Sequence, residues 1–85
     1  MKKTWKKCFV TLETATGTKL LCNDSFLRSH APRGNKKTEI KMFKTRGWAE
    51  RAISEVRKMV DCSQWHIFFV YENDVVHADG YIERN

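Results

Sequence analysis

The sequence predicts an α+β fold in which a mainly antiparallel sheet of four or five strands packs on one helix. Apolar residues recur with a helical period between Thr45 and Val60. Five other stretches alternate apolar and polar residues with a period of two, which is typical of strands. Because a helix and a sheet must each bury one face, we expect one two-layer domain over residues 1–85, in the order βββαββ.

The helix is expected to begin after Thr45, whose hydroxyl can accept a hydrogen bond from the free amides of the first turn. Gly47 weakens that turn, so packing on the sheet must stabilise the helix. The residues predicted to face the core are Trp48, Ala49, Ala52, Ile53, Val56, Met59 and Val60.

Strands are predicted at residues 5–13, 18–23, 39–43, 64–72 and 75–83. Residues 64–72 are apolar on both faces, a pattern typical of a central strand. A two-residue turn at Asn73 and Asp74 would pair this strand with residues 75–83, with His66 opposite Tyr81 and Phe68 opposite Asp79. The helix is then expected on the other side of the sheet, over Trp65, Ile67 and Phe69.

Basic residues are concentrated in the first half of the chain. Residues 1–47 contain 12 basic and 3 acidic side chains (+9), and residues 48–85 contain 4 and 7 (−3), which together give the net charge of +6. This asymmetry indicates an electropositive surface for phosphate or for an acidic protein. The alternative is that the excess charge only keeps a small protein soluble.

The segment of residues 23–37 lacks periodicity and holds the only proline. Within it, Phe26 and Leu27 are expected to form a small apolar plug. A long loop in so small a domain is often functional, although a solvated flexible loop is the alternative. The predicted phosphate contacts are Arg28, His30, Arg33, Lys36 and Lys37 of the loop, with Lys6 and Lys7 of the amino terminus.

The sheet face away from the helix carries the second group of candidate binding residues. His66, Phe68 and Tyr81 are predicted there, with Trp5 and Phe9 of the first strand beside them. Exposed aromatic rings with basic neighbours can stack single-stranded bases. A homodimer that buries this sheet face is the alternative.

No catalytic or metal motif is recognisable. His66, His77 and Asp79 could share one face, but their spacing matches no zinc-ligand pattern. A nucleophile pair of Cys62 and His66 lacks an orienting third group. We therefore expect a protein that is not an enzyme and has no metal or cofactor.

The chain is expected to be cytoplasmic, without a membrane partner. No apolar run approaches the length of a membrane span, and no apolar segment follows the basic amino terminus as in a signal peptide. Cys8, Cys22 and Cys62 lack CxxC spacing, so three reduced, buried thiols are expected.

The stretch from Phe43 to Ile53 resembles a segment of small proteins encoded by bacteriophages and bacterial mobile elements. In those proteins a phenylalanine and a threonine end a strand, and a helix with alanines in its first turns follows. The resemblance implies an origin of that kind, and some such proteins bind host machinery, including the anti-CRISPR inhibitors. It carries over no functional residue. Inhibitors that mimic nucleic acid are typically acidic, and this basic chain departs from that pattern.

Two functional hypotheses follow from the sequence. The first is a small basic binding protein that contacts nucleic acid or a host nucleoprotein complex through the loop, the amino terminus and the aromatic face. The second is an inhibitor of host defence of the anti-CRISPR kind, which acts through protein–protein contacts.

Overall fold

The computed structural model describes residues 4–32 and 34–84. One helix and six strands are found among them, and the predicted α+β class and the approximate element order are confirmed. The elements are β1 (Lys7–Thr14), β2 (Gly17–Leu21), β3 (Leu27–Arg28), α1 (Arg46–Arg57), β4 (Gln64–Val70), β5 (Val75–Val76) and β6 (Ile82–Glu83).

The main sheet is antiparallel and has the strand order β3-β2-β1-β4. β1 pairs with β4 along its length, from Lys7 opposite Val70 to Glu13 opposite Gln64. It pairs with β2 only near their shared turn, from Thr11 opposite Leu20 onward. β5 and β6 form a separate two-stranded sheet.

Residues 39–43 enter the gap where β1 and β2 diverge. The amide of Cys8 donates to the carbonyl of Phe43 (2.9 Å) and the amide of Phe43 donates back (2.7 Å), while Lys41 donates to Leu21 (2.9 Å). A third strand over residues 39–43 was therefore a wrong prediction. The segment contacts one neighbour at each end through isolated bridges, so no ladder forms, and the third strand is the short β3.

The helix side of the sheet holds the larger core. α1 is capped by Thr45, whose hydroxyl accepts a hydrogen bond from the amide of Trp48 (3.3 Å), as predicted. Three helix residues are buried in this core, and the strands contribute others. These buried residues are Cys8, Val10, Leu12, Leu21, Phe43, Ala49, Ile53 and Val56.

The helix face predicted to contact the core is wider than the face that is buried. Trp48 is 59 % exposed and Met59 is 78 % exposed, so both assignments to the core were wrong. The helix contacts the sheet through the narrow stripe of Ala49, Ile53 and Val56. Trp48 lies one residue to the side of that stripe, and Met59 follows the end of the helix.

The other side of the sheet is covered in part by a second core. Its buried residues are Phe9, Leu20, Cys22, Ala31 and Val70, with Ile40, Met42, Val76 and Ile82 packed against them. The predicted open face is thus reduced to the region around His66 and Phe68. Trp5 lies on the helix side, with its ring 4.9 Å from that of Phe69, so its predicted place beside Phe9 was wrong.

The predicted hairpin between β4 and residues 75–83 was also wrong. β4 ends at Val70, and the Asp74 carboxylate accepts hydrogen bonds from the Tyr71 amide (2.9 Å) and from Arg84 (2.7 Å). This turn directs the chain away from β4. A second turn at Gly80 then reverses the chain, so that β6 pairs with β5. Val76 of β5 and Ile82 of β6 pack against the second core.

The remaining predictions about local features had mixed outcomes. The three thiols are free, with Cys8 and Cys22 buried and Cys62 half-buried. Leu27 packs against the helix-side core, but Phe26 is exposed, so the predicted plug is half wrong. Within residues 4–32 and 34–84, no helix combines the length and apolar character needed to cross a membrane.

Replacement of Ile53 by Ala should lower the free energy of unfolding by about 2–5 kcal/mol, because the side chain is buried between α1 and the sheet and leaves a cavity. Urea unfolding measures this change. The control is Ser54→Ala on the exposed face of the same helix, which should change stability by less than about 0.5 kcal/mol. Equal effects would contradict the assigned helix orientation.

Replacement of Gly80 by Ala should destabilise the fold more than replacement of Gly17. Both glycines have positive φ (+89° and +110°), so both variants carry backbone strain of about 1–2 kcal/mol. A Cβ at Gly80 would also lie 2.8 Å from Leu20 Cδ2, whereas nothing lies within 4 Å at Gly17. Thermal unfolding of the two variants compares these costs, and equal losses would mean that the β5–β6 turn does not lie against β2.

Candidate nucleic-acid interface

A groove follows the β5–β6 turn on the side of the sheet opposite α1. It consists of three adjoining cavities of about 240, 460 and 570 Å³. The first and second share His77 and Ala78, and the second and third share Asp79 and Tyr81. We call these cavities the hairpin groove. Five predicted site residues line it: Lys7, His30, His66, Phe68 and Tyr81.

Two aromatic rings in the largest cavity are available to a ligand. Phe68 is 40 % exposed, and its ring is stacked on that of the buried Phe9 at 5.5 Å, which fixes its orientation. Tyr81 is 64 % exposed and follows a turn in which its amide donates to Asp79 Oδ1 (3.0 Å). His66 lies beside Phe68, with ring centroids 6.0 Å apart. The sequence predicted this grouping, although the strand pairing from which it was derived does not exist.

Carboxylates line the same cavity. Glu13 Oε1 accepts a hydrogen bond from the Thr18 hydroxyl (2.7 Å), and Asp79 uses Oδ1 within its own turn. For Asp79 Oδ2 the described residues supply no hydrogen-bond donor. The cavity therefore combines aromatic surfaces with hydrogen-bond acceptors, an environment that suits a flat group bearing N–H donors and disfavours a phosphate.

Residues 36–44 are a basic stretch of the chain, which we call the lysine segment. It contains Lys36, Lys37, Lys41 and Lys44. Its backbone is fixed at both ends, because Asp24 donates to the Lys37 carbonyl (2.9 Å) and Phe43 exchanges hydrogen bonds with Cys8. Lys36, Lys37 and Lys44 are exposed, and none forms an ion pair with another described residue. Sequence reasoning missed Lys41 and Lys44, although their spacing along one short basic stretch was visible.

Arg28 differs from the other predicted phosphate contacts, because its charge is already paired. Its Nη1 and Nη2 donate to Asp24 Oδ1 (2.8 Å) and Oδ2 (2.6 Å). These hydrogen bonds lower the pKa of Asp24 from 3.8 to about 2, and the same carboxylate raises the pKa of Arg28. The guanidinium also lies 5.8 Å from the centre of the Phe26 ring. Arg28 therefore closes the turn after β2.

The predicted basic residues do not form one cluster. Lys7 and His30 line the hairpin groove, whereas Lys36 and Lys37 lie where the loop returns to Asn23 and Asp24. Lys6 is exposed at the start of the sheet, where its amide donates to Val70. Arg33 lies outside the described residues.

The side chains considered in the sequence for metal binding or nucleophilic catalysis do not form such sites among the described residues. His77 Nε2 lies 2.9 Å from Glu83 Oε1. Within the described residues, no group of three His, Cys, Asp or Glu side chains has the arrangement of a metal site. Cys62 packs against the helix-side core while His66 lines the hairpin groove, so the two lie on opposite sides of the sheet.

Comparisons with protein-family models, with curated proteins and with solved structures found no match to this chain. The candidate interface is therefore defined by its geometry and charge alone.

The ion pair of Asp24 and Arg28 predicts a loss of stability in acid. Because the folded pKa of Asp24 (about 2) is below the unfolded value near 4, its contribution is complete above about pH 4 and disappears as the pH falls through about 2. The difference in melting temperature between the wild-type protein and Asp24→Asn should therefore narrow over that range. Asp61→Asn, which removes an exposed carboxylate, is the control. A difference that does not change with pH would contradict the assignment.

Proposed function

We propose that this protein is a small basic binding module for nucleic acid, with single strands as the preferred form, and that it is not an enzyme. The observation that carries the proposal is the pair of exposed rings, Phe68 and Tyr81, in a cavity of about 570 Å³ beside His66. A cavity of this size accommodates a nucleobase, and an aromatic wall stacks on the π-face that every base presents.

The distribution of charge favours a model in which a base lies inside the groove and the phosphates lie outside it. The acceptors of Glu13 and Asp79 can receive hydrogen bonds from the amino groups of adenine, cytosine or guanine. Lys7 lies at the opposite end of the groove, and the lysine segment adds Lys36, Lys37 and Lys44, none of which forms an ion pair with another described residue. In the duplex form the bases are stacked inside and cannot enter such a cavity, so we expect single strands to bind more tightly.

Tyr81→Ala should weaken the binding of a labelled single-stranded oligonucleotide by about 5- to 150-fold, the loss expected for one base stack of about 1–3 kcal/mol. Tyr81→Phe retains the ring and should bind nearly as the wild type does. Fluorescence anisotropy measures both affinities. Equal affinities for the wild-type, Ala and Phe proteins would remove the groove from the binding site.

A charge-matched pair of double variants tests the lysine segment in the same assay. Lys36→Ala with Lys37→Ala should weaken binding and reduce its salt dependence, because fewer counterions are released. Arg57→Ala with Lys58→Ala removes two charges from the end of α1 and should have a smaller effect. If the two pairs reduce affinity equally, only the net charge matters.

A second candidate function is inhibition of a host nucleoprotein complex through protein–protein contacts, as in the anti-CRISPR inhibitors. The observation that favours it is the exposed Trp48, over whose ring the Arg51 guanidinium lies at 5.6 Å. Tryptophan and arginine are enriched among interface residues with the largest energetic effects. In this case Trp48→Ala should abolish partner binding, and the affinity should change little with salt.

We propose a cytoplasmic location. It is supported by the three free thiols, two of them buried, because reduced cysteines are usual in that compartment.

A further inference from the structure

β4 lies at an edge of the main sheet and lacks the usual protection of an edge strand. Among the described residues, β1 is its one strand neighbour. Its sequence, Gln-Trp-His-Ile-Phe-Phe-Val, contains no lysine, acidic residue or proline, and Trp65 and Phe68 are 37 % and 40 % exposed. Edge strands in soluble proteins usually carry such residues, because a bare edge pairs with other strands.

The opposite edge of the same sheet shows the expected protection. β3 is two residues long, and its Arg28 is ion-paired with Asp24. The contrast between the two edges indicates that β4, and not β3, is suited to further pairing.

The hydrogen bonds of β1 show in which direction the backbone groups of β4 point. Cys8 exchanges both of its backbone hydrogen bonds with Phe43, on the side away from β4. The N–H and C=O groups of successive residues in an antiparallel strand point to alternate sides. The backbone groups of Phe9 and Thr11 therefore point toward β4, where Phe68 and His66 lie opposite them. The N–H and C=O groups of the alternate β4 residues then point away from the sheet. These residues are Trp65, Ile67 and Phe69.

We propose that β4 pairs antiparallel with β4 of a second copy of this chain, across a two-fold axis at Ile67, so that the two main sheets become continuous. In this register Ile67 pairs with Ile67 of the partner subunit, and Trp65 pairs with Phe69 of the partner subunit. Each of these pairs can exchange two backbone hydrogen bonds, because its groups are the ones that face outward.

The side chains fit the same register. Trp65 and Phe69 of the partner subunit meet on the helix side, and His66 meets Phe68 of the partner subunit on the groove side, so each face gains aromatic cross-strand pairs. Both chains have a net charge of +6, but the paired strands contain no lysine or arginine. The interface therefore places no like charges directly opposite each other.

A second copy also accounts for the pattern of the β4 sequence. Its apolar residues on both faces are typical of a central strand, whereas the isolated chain places it at an edge. Pairing of two copies places β4 at the centre of the sheet. An isologous contact of this kind also closes after two subunits, since each edge is used once.

Sedimentation velocity over a concentration series, without nucleic acid, tests the proposal. The wild type should reach twice the chain mass. Trp65→Pro removes an outward N–H and should raise the dimer dissociation constant about tenfold or more relative to Trp65→Ala, which loses the same ring but keeps the N–H. A wild type that stays monomeric at millimolar concentration would overturn the proposal, even if its β4 binds a strand of a different protein. Equal dimer dissociation constants for Trp65→Pro and Trp65→Ala would also overturn it.

Two double variants test whether His66 lies opposite Phe68 of the partner subunit. Both carry Phe68→Lys, so both lose the same packing at that position. His66→Lys with Phe68→Lys places lysines opposite each other and should favour the monomer. His66→Glu with Phe68→Lys places opposite charges together and should restore the dimer. Circular dichroism spectra of the two proteins should agree, which establishes that both are folded. Equal dimerisation of the two folded variants would contradict the proposed register.

Discussion

The burial of β1 on both of its faces is the constraint on which the other elements depend. Cys8, Val10 and Leu12 require cover on one side and Phe9 requires it on the other, and all four are fully buried. One helix can cover only one side of a sheet. The chain meets the second requirement with Ala31, Ile40 and Met42 and with the β5–β6 hairpin, which pack on the side of Phe9, Leu20 and Val70. The result is two cores that share one strand.

The hairpin groove is a consequence of this second covering layer. Because β5 and β6 pair with each other and not with β4, the turn around Gly80 lies over the sheet near Leu20 and leaves His66 and Phe68 only partly covered. The aromatic rings thus line a cavity between two layers instead of an open sheet face. In the proposed function, a base in this cavity would have a ring to stack on and the carboxylates of Glu13 and Asp79 within reach.

The sheet has different chemical character on the β2 side and on the β4 side of β1. On the β2 side, residues 39–43 of the lysine segment enter the gap between the diverging strands and are held there by backbone hydrogen bonds, while Lys36, Lys37 and Lys44 remain exposed. On the β4 side, the edge strand contains no lysine, arginine or acidic residue, and within residues 4–32 and 34–84 it has no second strand neighbour. Phosphate contacts and subunit pairing would therefore use separate parts of the molecule, whereas His66 and Phe68 belong both to the hairpin groove and to the proposed subunit pairing.

The sequence by itself determined the features that depend on neighbouring residues: the helix with its Thr45 cap, the first hairpin, the α+β class and the apolar character of each face. It also predicted that His66, Phe68 and Tyr81 lie together, although the strand pairing behind that prediction does not form. Tertiary structure decided the partners. Alternation gives the period of a strand but not its neighbour, so the wedge at residues 39–43, the separate β5–β6 sheet and the edge position of β4 were not predictable. Arg28 pairs with Asp24 only four residues away, but this contact depends on a turn whose backbone is held by the distant residues Lys37 and Glu39, so it was not predictable either.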